Sequence, residues 1–179
     1  MEKLIIFTDM GDTIVDEATQ VFDGNGDVVL AEPIDNAIQM LKTLKESGHT
    51  IALVADGTVK SFENIIDYLG IHDVFDTKVI SESLGTRKPD LLMFQKALDN
   101  LNLQEDDKKN IIMFGNNLKR DILGANEFGI GSVWLRRFPR YTLVPEAEVE
   151  IPDHIIRTPD DLINLVKYIE STREVLAFN

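Results

Sequence analysis

The sequence has no cysteine among its 179 residues, which excludes disulfide bonds and zinc sites built on thiolates. Its longest apolar runs are too short to span a bilayer, so no membrane-spanning helix is expected. The first residues, "MEKLIIFTDMG", lack the long apolar region and the small-residue cleavage site of a secretory signal. Together these absences favour a cytoplasmic protein with no membrane partner.

Basic residues are also scarce. Eighteen lysines and arginines stand against 31 acidic residues, which gives a net charge of −13. A chain with this balance is repelled by the phosphate backbone of nucleic acids, so a nucleic-acid partner is not expected. The length of 179 residues suits one domain with a continuous core, and we expect a single domain over residues 1–179.

Apolar strand patterns alternate with amphipathic helix patterns along the chain. The predicted strands are 3–8, 50–56, 77–82, 110–115 and 130–135, with a possible edge strand at 153–157. The predicted helices are 33–48, 59–70, 89–101, 117–129 and 158–172. Pro33 is the expected first residue of the first helix, and "DGNGD" at 23–27 predicts a β-hairpin between the first strand and that helix.

Strands that are apolar at every position and separated by single helices predict a parallel sheet covered on both faces. The expected fold is therefore α/β: a three-layer α/β/α sandwich with a parallel, Rossmann-like sheet and a hairpin flap after the first strand. In such sheets, ligands bind beyond the carboxyl ends of the strands.

Four of the predicted strands are followed by residues that can form a site. These residues are Asp9, Gly11 and Asp12 after the first strand, Ala55, Asp56, Gly57 and Thr58 after the second, Lys88 after the third, and Asn116, Asn117 and Asp121 after the fourth. Carboxylate and amide oxygens suit a hard cation such as Mg²⁺, and one ammonium group suits an anion. The sequence therefore predicts a site for magnesium and phosphate at this edge of the sheet.

Four segments in order resemble the motifs of the haloacid dehalogenase superfamily, most of whose members are Mg²⁺-dependent phosphatases. They are "FTDMGDTIVD", "IALVADG", "RKPD" and "IIMFGNNLKRDILGAN", and the resemblance extends over nearly the whole chain. It implies that the chain is a phosphatase that hydrolyses a phosphomonoester.

The resemblance also implies roles for individual residues. Asp9 corresponds to the nucleophile that forms an aspartyl-phosphate, and Lys88 to the cation that neutralises Asp9 and a phosphate oxygen. The implied magnesium ligands are Asp9, the main-chain carbonyl of Gly11, Asn116 and Asp121. The implied phosphate-binding residues are Met10, Gly11, Ala55, Asp56, Gly57 and Lys88, with backbone N–H groups as donors.

Three positions depart from the pattern. Gly11 stands where most such phosphatases carry an Asp that protonates the leaving group, and Ala55 where they carry a hydroxyl that binds phosphate. Asn116 replaces the first acid of the fourth motif. Asp12 is an alternative proton donor, one residue later. The departures leave open a second hypothesis, a catalytically impaired member that binds phosphate or a partner without turnover.

The segments between the motifs are too short for a cap domain. Residues 14–50 hold only the hairpin and one helix, and residues 57–87 one helix and one strand. An uncapped site admits bulky phosphorylated substrates, or is closed by a neighbouring subunit.

The basic and aromatic segment "RRFPRY", residues 136–141, follows the fifth strand. Arg136, Arg137 and Arg140 are candidates to contact an anionic substrate, and a solvated loop is the alternative.

Overall fold

A computed structural model describes residues 3–137 and 140–177. Its main sheet has six parallel strands, which are β1 (Ile5–Thr8), β4 (Thr50–Ala55), β5 (Thr77–Ile80), β6 (Ile111–Gly115), β7 (Gly131–Leu135) and β8 (His154–Ile156). Their order across the sheet is β5-β4-β1-β6-β7-β8. A two-stranded antiparallel hairpin, β2 (Val21–Phe22) and β3 (Val28–Leu30), lies outside this sheet. The parallel sheet and the hairpin predicted from the sequence are both confirmed.

Helices cover both faces of the sheet. They are α1 (Ala37–Glu46), α2 (Val59–Leu69), α3 (Ser81–Leu84), α4 (Leu91–Asn100), α5 (Leu123–Phe128) and α6 (Pro159–Ala177). Short 3₁₀ turns span Glu17–Thr19, His72–Val74, Glu105–Asn110 and Glu148–Glu150, and a π-helical turn spans Leu118–Ile122. None of the helices in the described ranges combines the length and the hydropathy needed to cross a membrane.

The strands contribute to two cores because successive side chains point to opposite faces of the sheet. Ile6 of β1 belongs to a core with α1, α2 and α6, whereas Phe7 belongs to a second core with α4 and α5. Both side chains are fully buried, and burial of one such side chain contributes about 1.5–3 kcal/mol. Three layers result, as the apolar strand pattern predicted.

The first helix begins later than the sequence predicted. Pro33 forms an isolated antiparallel bridge with Val15, and the helix begins only at Ala37, after Asn36 in a left-handed conformation with φ of 63°. Proline at a predicted first helical position therefore does not start this helix, because residue 33 is held beside the segment that follows β1.

The order of the strands brings the motifs together. β1 lies between β4 and β6, and Thr8 at its end pairs with Leu53 of β4 and Phe114 of β6. The three loops that follow these strands therefore begin side by side at the carboxyl edge of the sheet.

The hairpin is held against α2. The N–H of Val28 donates to Oγ of Ser61 at 2.9 Å, and the Asn64 amide donates to the carbonyl of Val28 at 2.9 Å. Thr58, the N-cap of α2, donates from its hydroxyl to Asp27 in the hairpin turn at 2.6 Å. These contacts place the hairpin beside the loop after β4, next to the carboxyl edge of the sheet.

Candidate active site

A buried lysine joins two motif carboxylates at the centre of this edge. Nζ of Lys88 lies 2.9 Å from Oδ1 of Asp9 and 2.7 Å from Oδ1 of Asp121. Burial of the Lys88 side chain opposes its charge, but the carboxylates of Asp121 and Asp9 prevail and raise its pKa above the ordinary value. Lys88 is therefore a permanent cation between two acidic groups.

Asp121 is buried more deeply than Asp9, with 1% of its side chain exposed against 15%. Burial raises the pKa of Asp121 to about 6; nearby Lys88 lowers it, whereas Asp9 raises it. Two carboxylates contact one lysine here, so ionisation of both leaves a net negative charge, which suits an added cation.

A π-helical turn after β6 positions Asp121. The N–H groups of Asp121 and Ile122 both donate to the carbonyl of Asn117, and the N–H of Asn117 donates to Oδ2 of Asp121 at 2.9 Å. Such turns are rare and occur frequently at functional sites. A Cβ on Gly115 would overlap the Asp121 carboxylate, so only glycine fits at the end of β6 without displacing that side chain.

Asp56 binds the backbone N–H of Lys88. Its Oδ1 accepts a hydrogen bond from the N–H of Lys88 at 3.0 Å, and its Oδ2 lies 3.4 Å from Nη1 of Arg120. The N–H of the next residue, Gly57, donates to Oγ of Ser81. Asp56 therefore orients Lys88 and Arg120 rather than offering a free carboxylate.

A cavity of about 140 Å³ opens at this point, and every residue in the predicted catalytic, phosphate-binding and metal-binding sets lines it except Ala55. Ala55 is fully buried in the core beneath the site. Five further polar residues line the cavity without having been predicted there: Glu17, Gln20, Ser61, Arg120 and Tyr141. Arg120 lies within the fourth motif, directly before Asp121, which is the one signal that could have identified it.

Asp12 is buried and is not among the residues that line the cavity. It is 1% exposed and has a left-handed conformation with φ of 49°. Its Oδ1 accepts from the N–H of Glu17 at 3.0 Å, and its Oδ2 lies 2.8 Å from Nε of Arg140. These contacts indicate that Asp12 stabilises the loop after β1, and they do not favour it as the proton donor.

Glu17 lies beside Gly11. A Cβ built on Gly11 would overlap Oε1 of Glu17, and Oε2 of Glu17 accepts from Nη1 of Arg140 at 3.0 Å. Partial burial, followed by the charges of Asp12 and Asp9, raises the pKa of Glu17 above its ordinary value. Nothing in the local sequence pattern indicated this position for Glu17.

The arginines of "RRFPRY" have different surroundings. Arg140 pairs with Asp12 and Glu17, whereas the Arg136 guanidinium lies 5.6 Å from the centre of the Trp134 ring. Neither lines the cavity. Phe138 and Pro139 lie outside the described residues.

The donor set suits magnesium in its chemistry. Asp9, Asp121, the Gly11 carbonyl and the Asn116 amide offer oxygen ligands, which hard cations prefer. Within residues 3–137 and 140–177, no group of three or more histidine or acidic side chains is arranged to hold a metal ion. A magnesium ion here would therefore depend on two carboxylates supplemented by neutral oxygens.

The chain is similar to proteins of known name. The chain is 33% identical over 137 residues to a glyceraldehyde 3-phosphate phosphatase of Methanopyrus kandleri, covering 76% of this chain and 57% of the relative. It is 30% identical over 148 residues to the enzyme of the same name from Methanothermobacter thermautotrophicus, covering 82% and 60%. The chain thus spans less than two thirds of the length of these relatives.

Among solved structures, the magnesium-bound HAD-hydrolase YfnB of Bacillus subtilis matches with a TM-score of 0.72 at 14% identity, over 93% of this chain and all of that one. This likeness shows a shared fold. The profile of the haloacid dehalogenase-like hydrolase family matches residues 7–135, which include all four motifs. The chain therefore belongs to the haloacid dehalogenase-like hydrolases.

Proposed function

We propose that this protein is a magnesium-dependent phosphatase that hydrolyses a phosphomonoester through an aspartyl-phosphate on Asp9. The observation that carries the proposal is the position of Asp9, which lines the cavity at the end of β1 and is held by Lys88 at 2.9 Å. The names of the relatives, glyceraldehyde 3-phosphate phosphatases, support a phosphorylated substrate.

Lys88 and Arg120 have separate roles in the proposed reaction. Lys88 contacts one oxygen of Asp9 and orients the carboxylate for attack on phosphorus. The same ammonium, with Arg120 at the cavity wall, attracts the anionic phosphoryl group. Water then attacks phosphorus and releases Asp9.

Asp9, the Gly11 carbonyl, Asn116 and Asp121 would hold magnesium. When bound, the ion supplies positive charge that stabilises the phosphoryl oxygens. Thermal unfolding tests this assignment without any turnover, since a ligand of the folded state raises the unfolding temperature. We expect Mg²⁺ to raise it in the wild type and to raise it less in Asp121→Asn; an equal rise in both would contradict the ligand set.

The cavity is smaller than pockets that enclose whole drug-sized ligands, which measure about 300–1,000 Å³. At about 140 Å³ it has room for a phosphoryl group and a short part of the leaving group. The remainder of a bulky substrate would extend outward past the hairpin, as we propose for a site without a cap domain.

Hydrolysis of p-nitrophenyl phosphate tests the nucleophile, because p-nitrophenolate departs without a proton. We expect turnover that depends on Mg²⁺ and falls by on the order of 10⁴-fold or more in Asp9→Asn. Asp67→Asn is the matched control, because the Asp67 side chain is 66% exposed in its pair with His72 and does not line the cavity. Unchanged turnover in Asp9→Asn would contradict the mechanism.

Gly11 and Ala55 favour a second candidate, a member that binds phosphate without turnover. Neither residue offers the acidic or hydroxyl group implied by the resemblance. Titration calorimetry with inorganic phosphate separates the candidates. Binding by a wild type that hydrolyses no phosphate ester would favour this second candidate.

A further inference from the structure

Glu17 occupies the space that a side chain at residue 11 would take. A Cβ added to Gly11 would meet Oε1, Cδ and Cγ of Glu17 before any other atom. Glu17 also lines the same cavity as Asp9 and Lys88. A carboxyl group from elsewhere in the chain thus stands at the position where most phosphatases of this type carry an acid.

Two hydrogen bonds and a capped turn hold Glu17 in this place. Asp16 caps the turn that begins at Glu17, and the N–H of Glu17 donates to Oδ1 of Asp12 at 3.0 Å. Nη1 of Arg140 then holds Oε2 at 3.0 Å, while Oε1 is the oxygen beside Gly11. One oxygen of the carboxyl group is therefore anchored, and the other is presented at the edge of the cavity.

We propose that Glu17 is the proton donor to the leaving group, in place of the acid that is absent at Gly11. This inference rests on the proposed phosphatase function. It assigns a catalytic role to a residue eight positions after the nucleophile, outside the four motifs.

The reaction has two halves, and Glu17 transfers a proton in each. As an oxygen of Asp9 bonds to phosphorus, the bond from phosphorus to the leaving oxygen breaks, and that oxygen takes the proton from Oε1 of Glu17. In the second half, the Glu17 carboxylate accepts a proton from the water that attacks phosphorus. The bond from phosphorus to Asp9 then breaks, its electron pair returns to Asp9, and Glu17 is again protonated.

The experiment compares wild type and Glu17→Gln on a series of leaving groups: p-nitrophenyl, phenyl and propyl phosphate. General acid catalysis contributes about 10²–10⁴-fold, but only where the leaving group needs a proton. We expect kcat/KM to fall by about 10²-fold or more for propyl phosphate and by less than about threefold for p-nitrophenyl phosphate. Glu105→Gln, the same change at an exposed residue that does not line the cavity, is expected to match the wild type across the series.

An equal loss on all three substrates would overturn the proposal, because a purely structural Glu17 affects every substrate alike. That result, with an active wild type inactivated by Asp9→Asn, would leave the phosphatase function standing. A wild type inactive on all three would overturn both.

A second variant moves the carboxyl group back to residue 11. Glu17→Ala vacates the space that a Cβ on Gly11 would need, so the pair Gly11→Asp/Glu17→Ala transfers the acid. We expect the pair to hydrolyse propyl phosphate at least tenfold faster than Glu17→Ala alone. No gain in a folded double variant, judged by circular dichroism, would overturn the proposal.

Discussion

The ammonium of Lys88 lies 2.7 Å from Oδ1 of Asp121, and each side chain is only 1% exposed. This buried pair joins the third motif to the fourth. Asp9, which is more exposed, also contacts the Lys88 ammonium, through Oδ1 at 2.9 Å. Breaking a buried pair leaves an uncompensated charge, which costs far more than loss of a surface pair.

Replacement of Lys88 by methionine is therefore expected to destabilise the protein by about 3–5 kcal/mol, because Asp121 loses its buried cation. Urea unfolding followed by circular dichroism measures this change. Lys45→Met is the control, since Lys45 pairs with Asp76 at 2.6 Å with both side chains about one third exposed, and its loss should cost about 1 kcal/mol or less. An equal loss of unfolding free energy in Lys88→Met and Lys45→Met would show that burial of the pair does not increase its contribution to stability.

Gly115 is expected to be indispensable for placing Asp121. A Cβ at this position overlaps the Asp121 carboxylate, and a misplacement of about 1 Å in a catalytic site can cost about 10²-fold in rate. We expect Gly115→Ala to lower kcat for p-nitrophenyl phosphate by about that factor. Gly24→Ala, where an added Cβ meets nothing within 4 Å, should leave kcat unchanged. Similar kcat values for the two variants would refute the packing argument.

Arg120 is expected to bind the substrate phosphate. Its side chain lines the cavity, and a hydrogen bond to a charged group contributes about 1.5–3 kcal/mol. Arg120→Gln should therefore raise KM by about tenfold or more with a smaller effect on kcat. The neighbouring Lys119 pairs with Glu146 at the surface, so Lys119→Gln should leave KM unchanged in the same steady-state assay. An equal rise of KM in Arg120→Gln and Lys119→Gln would instead attribute the effect to the loss of one positive charge from the protein.

The contacts of Glu170 predict a pH dependence of stability. Burial raises its pKa, but the N–H of Leu4 and the nearby His49 and Lys3 outweigh this effect and lower the pKa below the ordinary 4.5. The group therefore stabilises the fold fully above pH 4.5, and this contribution is lost as the pH falls through the lower folded value. We expect Glu170→Gln to reduce the free energy of unfolding at pH 7 more than at acid pH.

Urea unfolding at pH 7 and at a pH well below 4.5 measures this difference. Glu105→Gln is the control, because Glu105 is 77% exposed in its pair with Lys108 and should show little change at either pH. The assignment to Glu170 would be wrong if its variant lost the same stability at both pH values.

Local sequence pattern predicted most of the sheet and the residues at its edge. The strands are apolar at every position because both faces are covered, and this pattern is visible without any tertiary contact. Helix starts were less predictable: Pro33 is compatible with a first helical turn, yet its bridge to Val15 delays α1 to Ala37. Such a bridge depends on how two segments pack, which local pattern does not encode.

The sequence by itself determined the order of strands and helices and placed Asp9, Lys88 and Asp121 after strands that a parallel sheet brings to one edge. Only the tertiary structure decided that Lys88 joins both carboxylates, that Asp12 does not line the cavity, and that Glu17 fills the space beside Gly11. The physical reason is that strand order follows from periodic patterns, whereas the direction of a side chain in a loop follows from the path of the backbone and its contacts with distant residues such as Arg140.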